Sequence, residues 1–172
     1  MLKSTLLAVA LVVATGPGAP LAFAAGGDEA QTPSGAPADS DYAAGKQALE
    51  AKNWQGAVDA FSKSVAKDPG NANSQNYLAY SYRKSGNLDM AFKHYDEALR
   101  LDPKHRGAHE YIGEAYLMAG NLAKAEEHLR SLDRLCTLGC KEYSELKKAV
   151  AEYKRDAAAG KSTGAAKPAP VY

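Results

Sequence analysis

The sequence predicts an all-α fold, a solenoid of paired helices, and three observations predict it. The stretches KNWQGAVDAF, GNLDMAFKHY and GNLAKAEEHL align without gaps at a spacing of 34 residues. Within each unit the apolar residues recur at the three-and-four spacing of a helix face. Gly-Asn and Asp-Pro punctuate the helices: Gly accepts a left-handed conformation, and Pro disfavours helix in the residue before it. A period shared over this many positions marks a stacked array.

From the N-terminus, Met1 to Ser4 carries one positive charge and Thr5 to Ala14 is an apolar run. That run is shorter than the roughly 20 residues a membrane span needs. Gly16-Pro17-Gly18 breaks it, and Ala22-Phe23-Ala24 is a small-x-small cleavage site. Residues 1–24 are therefore expected to be a secretory signal peptide, and the protein to be exported. Export is read as periplasmic in a Gram-negative cell, otherwise as secretion. Residues 25–40 are Gly, Ala, Pro, Ser and Thr with a few acids, an expected disordered linker. Residues 157–172 read as a disordered tail on the same grounds.

Residues 41–156 are the expected folded part, with repeats at about 38–71, 72–105 and 106–139. In the first unit the second helix begins at Lys52-Asn53-Trp54 and ends at Asp68-Pro69. In the second unit Leu78, Ala79 and Tyr82 mark one apolar face, and Gly86-Asn87 closes that helix. A new face runs through Leu88, Ala91, Phe92, Tyr95, Ala98 and Leu99, and Asp102-Pro103 stops it. The small residues Ala57, Ala91 and Ala125 let paired helices approach; Phe61 and Tyr95 fill the space between units. In the third unit Cys136-Thr137 stands where Asp-Pro recurs. Beyond it, Tyr143, Leu146, Val150 and Tyr153 fall on one side of a helix over about 140–155, a cap for the array's last apolar face.

The spacing, with Gly45, Ala57, Phe61, Pro69, Tyr82, Gly86, Ala91, Tyr95, Ala98, Pro103, Gly113, Tyr116, Gly120 and Ala125, resembles the tetratricopeptide repeat. The resemblance covers residues 38 to about 135. It implies a right-handed α-solenoid of three repeats, each a pair of antiparallel helices, closed by a capping helix. The chain departs from the family at Ala48, where tyrosine is favoured. It departs again at Leu129 in an aromatic position, at Leu132 in a small one, and at Cys136-Thr137.

The net charge is +1, with acids and bases mixed along the chain. No basic stripe of the kind that neutralises phosphates is present, which argues against nucleic acid. No nucleophile elbow, zinc-protease signature, phosphate loop or dinucleotide fingerprint appears, so no enzyme and no cofactor are expected. Glu110 and Glu114 stand one helical turn apart. Charged residues mostly stay exposed, so they are expected on a solvated helix face rather than as a carboxylate pair.

Function is then expected on a surface. The first helix of each unit carries a second stripe outside the core: Tyr42, Lys46 and Leu49; then Asn73, Asn76, Tyr77, Tyr80 and Arg83; then Glu110, Tyr111, Glu114 and Leu117. In the resembled family this stripe lines a concave groove that receives a partner peptide or helix. Tyr80 and Arg83, facing away from Leu78 and Tyr82, are the stronger groove candidates; Tyr77 and Tyr111 read equally as packing. The family's lysine and asparagine clamp for acidic C-termini does not match here. With Glu110 and Glu114 in the stripe, a basic or neutral partner segment is expected.

Cys136 and Cys140 are the only cysteines and span the turn into the last helix. In an exported protein they are expected to form a disulfide tying array to cap. The alternative is a small thiol protein that senses redox state or binds a soft metal, with His128 the nearest further ligand in sequence. Self-association through an exposed end of the solenoid also remains open.

Overall fold

The computed structural model describes residues 39–161. The expected signal peptide (1–24), nearly all of the expected linker (25–40) and residues 162–172 of the expected tail lie outside the described residues. Seven helices follow one another, with no strand among the described residues: α1 Ser40–Glu50, α2 Trp54–Lys67, α3 Ala72–Lys84, α4 Leu88–Leu101, α5 Arg106–Met118, α6 Leu122–Leu135 and α7 Lys141–Ala158.

Each unit is a pair, α1–α2, α3–α4 and α5–α6, joined by one repeated turn. Gly86 and Gly120 take left-handed φ values of +87° and +76°. The amides of Asn87 and Asn121 then bond back to the carbonyls of Tyr82 and Tyr116 at 2.9 and 2.8 Å, a Schellman closure that satisfies the end of the first helix. The same asparagines start the second helix. Asn53, Asn87 and Asn121 are the N-caps of α2, α4 and α6, each side chain accepting from the amide three residues on, at 3.0–3.1 Å. Asn87 therefore has an ordinary φ of −91°, and only Gly86 supplies the left-handed residue expected of the pair.

Helix pairs close tightly because the contact positions are small. Ala57, Ala91 and Ala125 are fully buried. A Cβ on Gly45 would sit 2.7 Å from the Phe61 ring, so α1 and α2 approach closer than any side chain permits. Tyr95 is equally buried one period on, with Ala79 in the place of Gly45. Between units, Ser64 and Ser74 share a 2.7 Å hydrogen bond, and the matching Ala98 and Ala108 are fully buried. Leu132 occupies that position in the third unit and is also fully buried, packed on α7.

α7 continues the array's register. Leu146 lies 34 residues after Ile112 and 68 after Leu78, and all three are buried. Its methyl groups fill the space beside Gly113, where a Cβ would come within 2.6 Å. Val150, Tyr143 and Tyr153 complete a cluster with Leu117, Ala125 and Leu132. The turn before it brings Cys136 and Cys140 to a Cα separation of 5.5 Å with their sulfurs bonded. Gly139 turns left-handed at φ +83°, and the Cys140 sulfur caps α7 by accepting from the Tyr143 amide at 3.4 Å.

The helices α1, α3, α5 and α7 touch one another in succession, whereas α2, α4 and α6 do not meet. The first helices therefore form the short inner arc of a curved stack, and the second helices form the outer arc.

Lys52 occupies the place of Gly86 and Gly120 with φ +55°, the only non-glycine left-handed residue described. A Cβ in that region costs about 1 kcal/mol, partly offset by the greater unfolded-state freedom of glycine. Lys52→Gly is expected to raise Tm by about 2 °C, measured by circular dichroism. An unchanged or lower Tm would show that the first turn carries no such strain.

Candidate functional site

The inner arc is built from the residues that the core of each unit leaves over. On α1, Tyr42 meets Phe61 and Tyr77 edge-on at 5.6 and 5.8 Å, and Tyr77 stacks on Phe61 at 5.5 Å. Lys46 donates from Nζ to the Tyr77 hydroxyl at 2.8 Å while its ammonium lies 4.2 Å from that ring's centre. Tyr42, Lys46 and Tyr77 thus form one half-buried cluster joining α1 to α3, with Leu49 packed beside it.

Farther along, α3 and α5 are joined by an ion pair. Arg83 Nη1 lies 2.7 Å from Glu114 Oε2, and the arginine is only 8% exposed. Its guanidinium lies 5.1 Å from the centre of the Tyr80 ring and 5.7 Å from that of Tyr111; those rings are 4.8 Å apart. Nη1 also points at Met118 Sδ, 3.9 Å away. Arg83 Nε and the Tyr95 hydroxyl are buried without hydrogen-bond partners and act on each other electrostatically; burial pushes the Tyr95 hydroxyl upward. Removing Glu114 is destabilising, because it leaves the nearly buried guanidinium uncompensated. The expected groove candidate Arg83 is accordingly part of the packing between units. The reason is tertiary: the face of α3 that looks away from Leu78 is covered by α5.

Glu110 departs from expectation more sharply. It is 8% exposed rather than solvated, because α5 sits between α3 and α7. Burial, reinforced by the carboxylates of Glu114, Glu142 and Glu145 and opposed by Lys141, pushes its pKa up to about 7. Glu114, by contrast, is partly exposed and charge-paired. Asn76, one period before Glu110, is 2% exposed, and its Oδ1 has no hydrogen-bond partner. Asn73 is exposed and receives a hydrogen bond at 2.9 Å from His105 Nε2 on the turn into α5. Leu117 is buried in the cluster under α7.

The structure therefore places all the stripe residues on α1, α3 and α5. It gathers Tyr42, Lys46, Leu49 and Tyr77 into one cluster and Tyr80, Arg83, Tyr111 and Glu114 into another, while Asn73 pairs with His105 and Leu117 packs under α7. Asn76 and Glu110 lie beneath the surface. Met118 and His105 belong to the inner arc and were not among the expected stripe residues. Met118 sits one residue past the stripe, and His105 follows the Asp102-Pro103 break. The soft-metal alternative required Cys136, Cys140 and His128 to converge. Instead the two sulfurs are joined, and His128 Nδ1 lies 3.0 Å from His109 Nδ1.

A family model described as tetratricopeptide repeat matches residues 42–105 and 78–137, together more than half of the chain. Among curated protein sequences none matches. Several solved structures share the fold. The TPR2B domain of yeast Sti1, in complex with pHsp70, aligns with TM-score 0.62 at 19% identity, covering 67% of this chain and 94% of that one. The second repeat domain of human RPAP3, in complex with an HSP70 peptide, gives 0.58 at 23% identity over 64% and 92%. The Yersinia enterocolitica type III secretion chaperone SycD, in complex with a peptide of the translocator YopD, gives 0.59 at 20% identity over 70% and 91%. At these identities the likeness is one of fold.

Because the pKa of Glu110 rises from 4.5 to about 7, the folded chain keeps a proton that the unfolded chain has released. The resulting stabilisation is full below about pH 4.5 and is lost as pH rises to about 7. Glu110→Gln keeps the neutral shape at every pH. Relative to the parent, it is expected to gain on the order of 2 kcal/mol at about pH 8 and almost nothing near pH 4.5, read from urea unfolding. Equal effects at both pH values would mean that folding does not raise the Glu110 pKa.

Proposed function

The chain belongs to the tetratricopeptide repeat family, and we propose that it is an exported, non-enzymatic adaptor holding a segment of a partner protein along its inner arc. The observation that carries the reading is the row of half-buried tyrosines, Tyr42, Tyr77, Tyr80 and Tyr111, held in fixed positions by Lys46 and by the Arg83–Glu114 pair. Rings already held in place lose little freedom on contact and offer a large apolar face with a polar tip. Structures sharing this fold bind HSP70 and translocator peptides, which supports a peptide or helix as the occupant. The partner segment is proposed as basic or neutral, since the carboxylates of Glu114, Glu142 and Glu145 act together around Glu110 at the α5 end of the arc, against Lys141.

In this reading α7 is the cap that covers the third unit, and the Cys136–Cys140 disulfide is the clasp between array and cap. Closing so short a loop stabilises by about 2 kcal/mol on the chain-entropy estimate. Residues 1–24 direct export, to the periplasm in a Gram-negative host. Intact mass of the protein from its exporting host, with and without reductant, is expected to give a chain beginning at Ala25 whose mass rises by about 2 Da on reduction. A chain retaining Met1, or one whose mass reduction leaves unchanged, would remove export or the clasp respectively.

A photocrosslinking residue placed at Tyr80 or Lys46 on the inner arc, and at the exposed Lys63 or Lys93 on the outer arc, tests the docking face. Crosslinking in the host is expected to yield one discrete adduct from the inner positions only. The same adduct from the outer positions, or adducts from neither, would sink the proposal. Arg83 is unsuitable as a probe because its loss breaks the ion pair that joins α3 to α5.

A further inference from the structure

The second and third units enter their first helices through the same hydrogen-bond plan executed in different chemistry. At α3, Asn71 caps the helix by accepting from the Ser74 amide at 3.0 Å. Gln75 donates from Nε2 to the Pro69 carbonyl at 3.3 Å, and its Oε1 accepts from His94 Nδ1 at 2.8 Å. Thirty-four residues later His105 takes the place of Asn71, His109 that of Gln75, and His128 that of His94. His105 Nδ1 accepts from the Ala108 amide at 3.1 Å and caps α5, while Nε2 donates to Asn73 Oδ1. His109 Nε2 reaches the Pro103 carbonyl at 3.1 Å, and its Nδ1 faces His128 Nδ1 at 3.0 Å.

These partners decide the proton positions. A carbonyl only accepts, so His109 carries a proton on Nε2, and its Nδ1 shares one further proton with His128 Nδ1, which either ring can hold. A backbone amide only donates, so His105 Nδ1 must be bare. His105 is therefore required neutral in one tautomer, and the His109–His128 contact survives only while at least one of its two rings is neutral. A carboxamide offers a donor and an acceptor at every pH, whereas an imidazole offers an acceptor only while unprotonated.

We propose that the entry to α5 is an acid-labile joint: protonation of His105 turns the acceptor that caps the third unit's first helix into a donor facing the Ala108 amide, and protonation of both His109 and His128 sets donor against donor at their contact, while Asn71 and Gln75 keep the second unit's entry closed. Among the described residues, the charges acting on the joint come from several elements. Asp102 in the preceding turn favours a charge on His105 and on His109, and Glu142 on α7 favours it on His105. Arg134 on α6 opposes it on His109; on His128, Lys124 opposes it and Glu127 favours it. The neighbouring imidazoles oppose one another, and α3 presents the neutral Asn73.

Burial outweighs these charges and holds His105, His109 and His128 below the ordinary 6.5, His128 at about 4. The unfolded segment therefore takes up protons first, and the joint weakens as pH falls from about 6.5 towards 4. His94 is also held down by burial, but its Nδ1–H donates to Gln75 in either charge state. Glu110 works in the opposite direction, so a local comparison is the informative readout. α5 carries Tyr111, Glu114 and the Arg83 contact, so the inner arc loosens at its middle. The device stands whether or not a partner occupies that arc.

Hydrogen exchange of the full chain at about pH 7.5 and about pH 4.5, corrected for intrinsic rates, tests it. Between these pH values the amides of α5 are expected to lose about tenfold more protection than those of α3. In His105→Asn/His109→Gln the two helices keep pace; in Asn71→His/Gln75→His the loss extends to α3 while α5 keeps its own. Parent α3 and α5 falling in step, or an α5 loss that survives the amide substitutions, would overturn the joint. Should the amide variant fail to fold, the transplant decides: acid lability appearing in α3 supports the proposal, and its absence defeats it.

Discussion

Everything else in this molecule depends on how closely the two helices of a unit approach. Where Gly45 faces Phe61 there is no room for a Cβ, and Ala57, Ala91 and Ala125 keep the paired helices equally close. That approach lets one large ring, Phe61 or Tyr95, be fully buried between elements only 11 to 14 residues long. Helices so short are marginal alone, and they persist here because each buries its apolar face on the next. The 34-residue period is the repetition of this one contact, with the Gly-Asn turn setting its angle.

A stack held by nearest-neighbour contacts must treat its ends differently from its middle. The third unit shows this in two substitutions and one added contact. Leu132 replaces a small residue, Cys136 replaces an aspartate, and α7 inserts Leu146 beside Gly113 where another unit would dock. The turn into α7 is correspondingly rebuilt, with a cysteine ending α6 and another capping α7. The third unit also exchanges carboxamides for imidazoles at its entry, so its attachment to the second depends on proton occupancy in a way that the α3 entry does not.

The inner arc carries the tension between packing and recognition. Its polar residues are not a free stripe laid over a core; Arg83, Glu110 and Asn76 are enclosed by neighbouring units, and two of them keep buried atoms without hydrogen bonds. Such groups reduce stability relative to an apolar arrangement, yet they fix which face of α3 meets α5. The tyrosines around them are held at the surface by the same contacts, so a surface suited to a partner is obtained without a flexible loop.

Much of this was legible in the chain itself. The period, the small and large positions of each pair, the helix ends at Asp-Pro and Gly, and the apolar side of α7 all depend on residues close in sequence. A helical wheel and a spacing therefore suffice for them. The Asn71–His105 and Gln75–His109 exchanges were also readable by stepping 34 residues, although their meaning needed the carbonyl of Pro103 and the amide of Ala108 in place. What the tertiary structure alone decided was burial on the inner arc. A wheel tells which way Arg83 or Glu110 points from its own helix axis, but not that α5 or α7 lies across that direction. That depends on the curvature of the stack, a property of several units at once, and no single helix encodes it.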